Sequence, residues 1–179
     1  MTHIRFITMF IFAFSSVLAC SGELEMQVKT ADSTIRLIQK LGARETISRL
    51  FADGQAWEAV CKGIASGTQP WLSVADKLKP ASDAASSEDL QDALIAALAN
   101  NPVGVLRFVR GRTSDRDFSL GGVCAASPRS ESKAVAFAHL AKAERAVTRV
   151  TTRDLKQMRN ECLASLREYR KVVRSSPSE

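Results

Sequence analysis

The sequence predicts an all-α protein. Apolar residues recur at steps of three and four, as at Trp57, Val60 and Ile64, which is the spacing of one helix face. No segment alternates apolar and polar residues with a period of two, as a half-buried strand does. The chain of 179 residues is long enough for one domain with a sizeable core.

Three short helices are predicted first. Each carries an apolar stripe and ends at or near a glycine, which is a common signal for a helix C-terminus. The first stripe consists of Ile35, Ile38 and Leu41 and ends before Gly42. The second consists of Ile47, Leu50 and Phe51 and ends before Asp53-Gly54. The third consists of Trp57, Val60, Cys61 and Ile64 and ends before Gly67.

Three further short helices follow, and their starts are marked by proline or by capping residues. Pro70 is placed in a first turn, where its missing N–H costs nothing, and Pro80 ends that helix. Ser86 and Ser87 are followed by acids, a pattern that suits the positive N-terminal end of a helix. Asn101-Pro102 starts the sixth helix.

A polar loop over residues 110–132, containing Gly121-Gly122, precedes two longer helices. Their stripes run from Phe137 to Val150 and from Leu155 to Val173. Thr151-x-x-Asp154 resembles a capping box for the second of them. We therefore expect about eight helices: short helical hairpins in an irregular bundle or α-solenoid-like stack, closed by two longer C-terminal helices. No repeat of fixed period is present.

The beginning of the chain is typical of an export signal. A basic start with His3 and Arg5 is followed by thirteen uncharged residues from Phe6 to Leu18, the order expected of a signal peptide. A membrane-spanning helix needs about 20 apolar residues, so this run is short for a membrane anchor. A buried core helix would show a polar face, which is missing here before Ser15.

Val17-Leu18-Ala19-Cys20 resembles the lipobox of bacterial lipoproteins. The resemblance implies that Cys20 is acylated and becomes the first mature residue. Ser21, in place of Asp, would imply outer-membrane sorting in enteric-type bacteria. Ordinary cleavage after Ala19 or Gly22 would instead leave a soluble protein. The expected segments are a signal peptide over 1–19, a tether over 20–29, one helical domain over 30–175 and a disordered tail over 176–179.

Charge is divided unevenly along the mature chain. Residues 20–100 hold eight basic and eleven acidic side chains, whereas residues 101–179 hold sixteen basic and eight acidic ones. The basic half is interpreted either as a solvated arginine-rich surface or as a face for an anionic partner. Nucleic acid is not expected, because the chain is exported and its basic half has few aromatic residues for base stacking. Arg110, Arg112 and Arg116 are the candidate partner-binding residues of the loop, with a solvated loop as the alternative.

Three cysteines remain after Cys20. An oxidising periplasm favours one disulfide and one thiol. Three pairings are open, and we favour Cys124–Cys162 because a cysteine after Gly121-Gly122 can approach a helix cysteine with little steric penalty. Cys61 is then the thiol, and we expect it to be buried. If Cys20 is not lipidated, two disulfides become feasible.

No motif for catalysis, metal binding or cofactor binding is found. His139 is the one histidine of the mature chain, and neither a nucleophile elbow nor a phosphate loop is present. The cysteines lack the spacing of zinc ligands. Glu88, Asp89 and Asp92 cluster, and paired carboxyls can cleave glycosides. However, acids in the first turns of a helix also complement its dipole. We predict no catalytic residue, no metal and no cofactor.

The stretch from Trp57 to Leu106 resembles small secreted all-helical proteins of proteobacteria with no assigned activity. That resemblance implies a fold and carries over no functional residue. Our hypothesis is a membrane-tethered periplasmic lipoprotein that acts as a non-catalytic protein-binding module, with an immunity or inhibitor protein as one version. Its partner would be an envelope or periplasmic protein. The alternatives are a structural protein on anionic lipid surfaces and a peptidoglycan-acting enzyme.

Overall fold

A computed structural model describes residues 29–113, 115–126 and 132–176. Within these ranges the chain forms nine α-helices and two single 3₁₀ turns, with no strand, which confirms the predicted all-α class. The helices are α1 (Ala31–Leu41), α2 (Ala43–Ala52), α3 (Gly54–Ala65), α4 (Gln69–Leu78), α5 (Ala84–Asn100), α6 (Pro102–Val109), α7 (Leu120–Cys124), α8 (Lys133–Thr148) and α9 (Lys156–Ser175), and the 3₁₀ turns are Lys79–Ala81 and Arg153–Leu155.

The predicted signal peptide over 1–19, the lipidation residue Cys20 and nearly all of the tether lie outside the described residues. Residues 177–179 of the predicted tail lie outside them as well. The processing and lipidation of the chain therefore stay predictions. In the described ranges, no helix combines the length and the apolar character needed to cross a bilayer.

Helix α5 is the centre of the fold. Its segment from Leu90 to Ala99 is rich in leucine and alanine, and buried residues lie around most of its circumference, as expected of a helix covered by neighbours on several sides. Helix α3 packs on one side of α5 and α8 on another. Small alanines such as Ala93 and Ala97 let these neighbours approach closely.

The N-terminal helices α1 to α4 form a group that packs against α5 through α3. Thr30 caps α1 through a reciprocal capping box with Ser33, and Asp53 caps α3. The predicted stops at Gly42 and Gly67 are confirmed: both glycines have positive φ. A side chain at Gly67 would also press on Asn101. Asn101 in turn donates from Nδ2 to the Gly67 carbonyl at 2.8 Å, which joins the end of α3 to the start of α6.

Helices α8 and α9 form an antiparallel pair that closes the other side of α5. Lys133, at the start of α8, donates to the carbonyl oxygens of Arg174 and Ser176 at the end of α9. Farther along the pair, Glu144 of α8 accepts from Arg167 at 3.1 Å and from Arg170 at 2.9 Å. These contacts fix the register of two helices whose facing stripes are apolar.

The structure corrects four details of the predicted elements. Helix α5 begins at Ala84, because Asp83 caps it in a reciprocal box with Ser86. It is 17 residues long, so the two C-terminal helices are not the only long ones. The predicted loop contains the short helix α7. Thr151 does not cap α9, whose N-cap residue Leu155 is the last residue of the preceding 3₁₀ turn.

Candidate functional site

An open groove of about 380 Å³ lies between α3 and α5. Its walls are mostly apolar and its edges carry charged side chains. From α3 it is lined by Gly54, Trp57, Glu58, Cys61, Lys62 and Ala65, and from α5 by Asp89, Asp92 and Ala93.

The helical repeat explains why these residues meet. Trp57, Cys61 and Ala65 are spaced by four, so they share one face of α3. Asp89 and Ala93 have the same spacing on α5. Gly54, at the first position of α3, also lines the groove, and the space next to its Cα is open, since a Cβ there would meet nothing within 4 Å.

A hydrogen bond between the two helices fixes the indole in the groove. Trp57 donates from Nε1 to Oδ2 of Asp89 at 2.9 Å. A buried indole N–H needs such a partner, and a carboxylate acceptor makes the bond stronger than a neutral one. The aromatic floor of the groove is therefore held in one orientation.

Three acidic side chains and one basic side chain line the groove. Burial first, and then the charges of Asp89, Asp92 and Glu58, raise the pKa of the Cys61 thiol to about 12. Lys62 pairs with Glu58 at 2.7 Å, but both side chains are largely exposed, so this pair is weak. At neutral pH Cys61 is therefore a protonated, unreactive thiol.

An exposed aromatic residue extends the apolar surface beside the groove. The ring of Phe51 lies 5.2 Å from that of Trp57 in a tilted arrangement, and the Phe51 residue is 42% exposed. Phe51 also lines a second depression, of about 540 Å³, between α2 and the 3₁₀ turn at Lys79–Ala81. The two depressions therefore adjoin the same aromatic pair.

Two of the three candidate arginines of the loop are engaged within the chain. Arg110 donates from Nη2 to Oδ2 of Asp154 at 2.8 Å. Arg112 pairs with Asp76 at 2.6 Å and lies 4.3 Å from the centre of the Phe108 ring. The third, Arg116, has an exposed side chain.

These contacts give the first two arginines a structural role. The Arg110 hydrogen bond lowers the pKa of Asp154 and joins the end of α6 to the turn before α9. Arg112 ties the loop to α4. The loop is thereby fastened to two different parts of the fold.

Lys79 and Asp117 hold the next part of the loop in place. Lys79 donates to Oδ2 of Asp117 at 2.6 Å and to the hydroxyl of Ser87. Ser87 itself donates to Oδ2 of Asp117 at 3.0 Å. The Lys79 hydrogen bond is the main reason that the pKa of Asp117 is lowered. Lys79, Ser87 and Asp117 thus form a closed set of hydrogen bonds that joins the loop to α5.

Cys124 of α7 and Cys162 of α9 are joined by a disulfide, the pairing favoured from the sequence. Both residues are fully buried. Gly121-Gly122, predicted as a turn, lies instead inside α7, and a side chain at Gly122 would collide with the Arg116 carbonyl. Of the described cysteines, Cys61 carries the thiol, and it is half-buried rather than fully buried.

His139 and the acidic residues of α5 are the other residues considered from the sequence. His139 is half-buried, and burial, followed by the nearby Lys142, lowers its pKa. Glu88 and Asp89 lie in the second turn of α5, not in its first, because the helix starts at Ala84. Within the described ranges, no group of three or more His, Cys, Asp or Glu side chains is placed to share a metal ion.

No family model, curated protein or solved structure matches this chain. The site must therefore be interpreted from its own residues. The groove was not predicted from the sequence: Trp57 is buried, as its apolar stripe indicates, whereas Cys61 of the same stripe is only half-buried.

Proposed function

We propose that this protein is an exported, lipid-anchored module that binds another protein of the cell envelope and catalyses no reaction itself. The groove between α3 and α5 is the observation that carries the binding proposal. It combines a fixed tryptophan, an apolar floor and a charged edge, and tryptophan is enriched among the residues that dominate binding energy at interfaces.

The location rests on the first twenty residues. The lipobox-like segment ending at Cys20 supports an acyl anchor, and acylation adds about 0.8 kcal/mol of membrane affinity per buried methylene group. The ten residues from 20 to 29 would reach at most about 35 Å when extended. The helical domain would thus work close to the periplasmic face of a membrane, the outer membrane being the expected one.

One concrete version is an immunity or inhibitor protein that covers the working surface of its target. Such a protein acts through surface complementarity and needs no catalytic pocket. The exposed Phe51 beside the groove supports this version, because it extends the apolar contact area beyond what a small ligand would use.

A second candidate function is attachment to anionic lipid surfaces. The excess of basic residues after residue 100 favours it, since basic side chains near a membrane contribute about 1 kcal/mol each. Vesicles containing phosphatidylglycerol test it with a chain whose Cys20 is replaced by serine. Binding that weakens steeply with salt supports the lipid role, and binding that is absent or indifferent to salt removes it.

Affinity capture from envelope extracts tests the proposed function. Three forms of the chain are compared: the natural sequence, Ala65→Arg, which fills the groove, and Ala138→Arg, which adds the same group on an exposed face of α8. A partner recovered by the natural and Ala138→Arg forms and lost with Ala65→Arg supports the proposal. The absence of any reproducible partner, or a partner indifferent to Ala65→Arg, contradicts it.

Mass spectrometry of the processed protein tests the proposed location. A mature chain that begins at an acylated Cys20 is the expected result. A chain that begins at an unmodified Cys20, at Glu23 or at Met1 contradicts the lipid anchor. The capture experiment is unaffected by that outcome, because the groove belongs to the helical domain.

A further inference from the structure

We infer that one end of the molecule binds the phosphate groups of an anionic phospholipid surface. This basic end lies where α6 meets the end of α8 and the start of α9, and it consists of Arg107, Arg145, Arg149, Arg153, Lys156 and Arg159. The inference rests on the location proposed above, beside a membrane, and it gives the second candidate function a defined site. The basic end shares no residue with the groove between α3 and α5.

The packing of three separate segments forms the basic end. Helix α6 packs against α8 and against the 3₁₀ turn before α9. The pKa of Asp154 in that turn is lowered by a hydrogen bond from Arg110 and also by the charge of Arg107, so α6 brings its arginines close to the turn. Residues 102–113 hold three basic side chains and residues 145–160 hold five, with Asp154 as the single acid of both segments.

The charge of the basic end is not neutralised within the described part of the chain. The acids nearest in sequence, Asp154 and Glu144, are both paired with other arginines. Among the described residues, no carboxylate lies within ion-pair distance of Arg145, Arg149 or Arg153. All three residues are exposed. Their guanidinium groups are therefore accessible to an anion outside the chain.

The helix dipoles do not explain this concentration of charge. Basic residues near the end of a helix complement its negative pole, which accounts for Arg145 and Arg149 at the end of α8. Lys156 and Arg159, however, occupy the first and fourth positions of α9, beside a positive pole, where cations are unfavourable. A bound anion would offset that cost and also the repulsion between neighbouring positive charges.

A depression on α8 offers room for a phosphate group. It has a volume of about 280 Å³ and is lined by Glu144, Arg145, Thr148 and Arg149. The Glu144 carboxylate is paired with two arginines of α9, whereas Arg145 and Arg149 are one helical turn apart and share a face of α8. A guanidinium group can donate two parallel hydrogen bonds to phosphate oxygens. Two such groups at one depression therefore favour a phosphate as the ligand.

A lipid surface fits the basic end better than an acidic protein does. Protein interfaces usually have an apolar or aromatic core inside a polar rim. In the described part of the chain, the exposed large apolar side chains are Phe51, Val135 and Val172, which lie on α2 and at the opposite end of the antiparallel α8–α9 pair. A membrane presents phosphates without such a core, and the proposed tether would keep the domain within about 35 Å of one.

Sedimentation with lipid vesicles tests the inference. The chain without its predicted signal peptide, and with Cys20→Ser, is mixed with vesicles of phosphatidylcholine that contain phosphatidylglycerol and with vesicles of phosphatidylcholine alone. It should bind the first kind and not the second. The double variant Arg149→Gln/Arg153→Gln should bind the anionic vesicles about thirtyfold more weakly, which is the loss expected when two basic side chains are removed from an anionic surface.

Two further variants separate the basic end from the net charge of the chain. The matched control, Arg36→Gln/Lys40→Gln, removes the same charge from exposed positions on α1, a helix that packs mainly against α2 and α4. At an ionic strength of about 0.1 M, charges more than about 10 Å apart are largely screened, so the control should bind as the natural sequence does. Arg107→Gln/Arg145→Gln changes two other elements of the basic end and should weaken binding to a similar extent. Circular dichroism of each variant verifies that the helical fold is retained.

Soluble poly-glutamate shows whether a membrane surface is needed. It offers carboxylate charge without a lipid headgroup and without the planar array of phosphates that a vesicle presents. It should therefore bind the chain more weakly than vesicles that carry the same total charge.

Three outcomes would overturn the inference. Equal binding to both kinds of vesicle, or binding to neither, would show that the basic end does not recognise phosphatidylglycerol. An affinity that Arg149→Gln/Arg153→Gln lowers no more than the control does would show that the attraction does not reside at this end. Poly-glutamate that binds as tightly as the vesicles would assign the basic end to an acidic protein. Envelope capture with Ala65→Arg decides the proposed protein-binding function separately, because that variant leaves the basic end unchanged.

Discussion

Removal of the disulfide should lower the stability of the domain substantially. The double variant Cys124→Ala/Cys162→Ala opens a covalent loop whose ends are 38 residues apart. On the chain-entropy model, closing a loop of that length stabilises the folded state by about 4 kcal/mol. For a domain of this size, about 2–4 °C of melting temperature corresponds to each kcal/mol, so we expect a decrease of about 8–16 °C.

The structure explains why the loss should not be recovered by local packing. Helix α7 has five residues, too few to be stable without tertiary contacts. The disulfide attaches it to α9, and Gln91 of α5 adds a hydrogen bond to the Gly122 carbonyl at 3.0 Å. Without the covalent bond, the unfolded chain gains conformational entropy. In the folded state, α7 is then held only by non-covalent contacts such as this hydrogen bond.

Thermal unfolding followed by circular dichroism measures the effect, with and without a phosphine reductant. The reduced natural chain should melt close to the double variant, and Cys61→Ala should respond to the reductant as the natural chain does. Thiol titration must show that the reductant has cleaved the bond. If a fully reduced natural chain melts within about 2 °C of the oxidised one, the loop-entropy reasoning is wrong.

Three other perturbations have defined outcomes. Since the pKa of Cys61 is raised from 9.0 to about 12, iodoacetamide should modify it about 1,000-fold more slowly than an ordinary thiol at pH 8, with a rate that rises through pH 10 and does not level off near 9. Lys79→Met should cost about 1–2 kcal/mol in urea unfolding at pH 7. Because the folded-state pKa of Asp117 is lowered, that difference should be full above pH 4 and should shrink as the pH falls below its usual value. Asn101→Ala, which removes the α6 cap, should cost about 1–2 kcal/mol by the same measurement, whereas Asn160→Ala on the exposed face of α9 should change little.

Much of the fold could be predicted because the signals that start and end its helices are local in the sequence. Gly42 and Gly67 end helices through backbone angles that other residues avoid, and Pro70 and Pro102 lie in first turns as predicted. These signals depend on the chain within a few residues of each boundary. The all-α class follows from them together with the apolar periodicity.

The helix boundaries that were predicted wrongly depend on competition between capping residues or on tertiary contacts. Ser86 was a plausible cap, but Asp83 occupies that position and Ser86 completes the box from the third helical residue. Helix α7 contains Gly121-Gly122, which disfavours a helix by about 1 kcal/mol per residue. Packing overrides this preference, since Gly122 lies directly against the Arg116 backbone where a side chain would not fit.

The groove could not be predicted because periodicity identifies a helix face without showing what covers it. On α3, Val60 and Ile64 are fully buried, whereas Cys61, one residue from Val60, faces an opening beside α5. The carboxylate of Asp89 reaches this opening only because α5 packs 32 residues later in the chain against the same helix. A local pattern therefore predicts the apolar floor, and only the packing of two distant segments adds its charge. The chemistry of the site is thus a property of the contact between α3 and α5, two segments that no local pattern brings together.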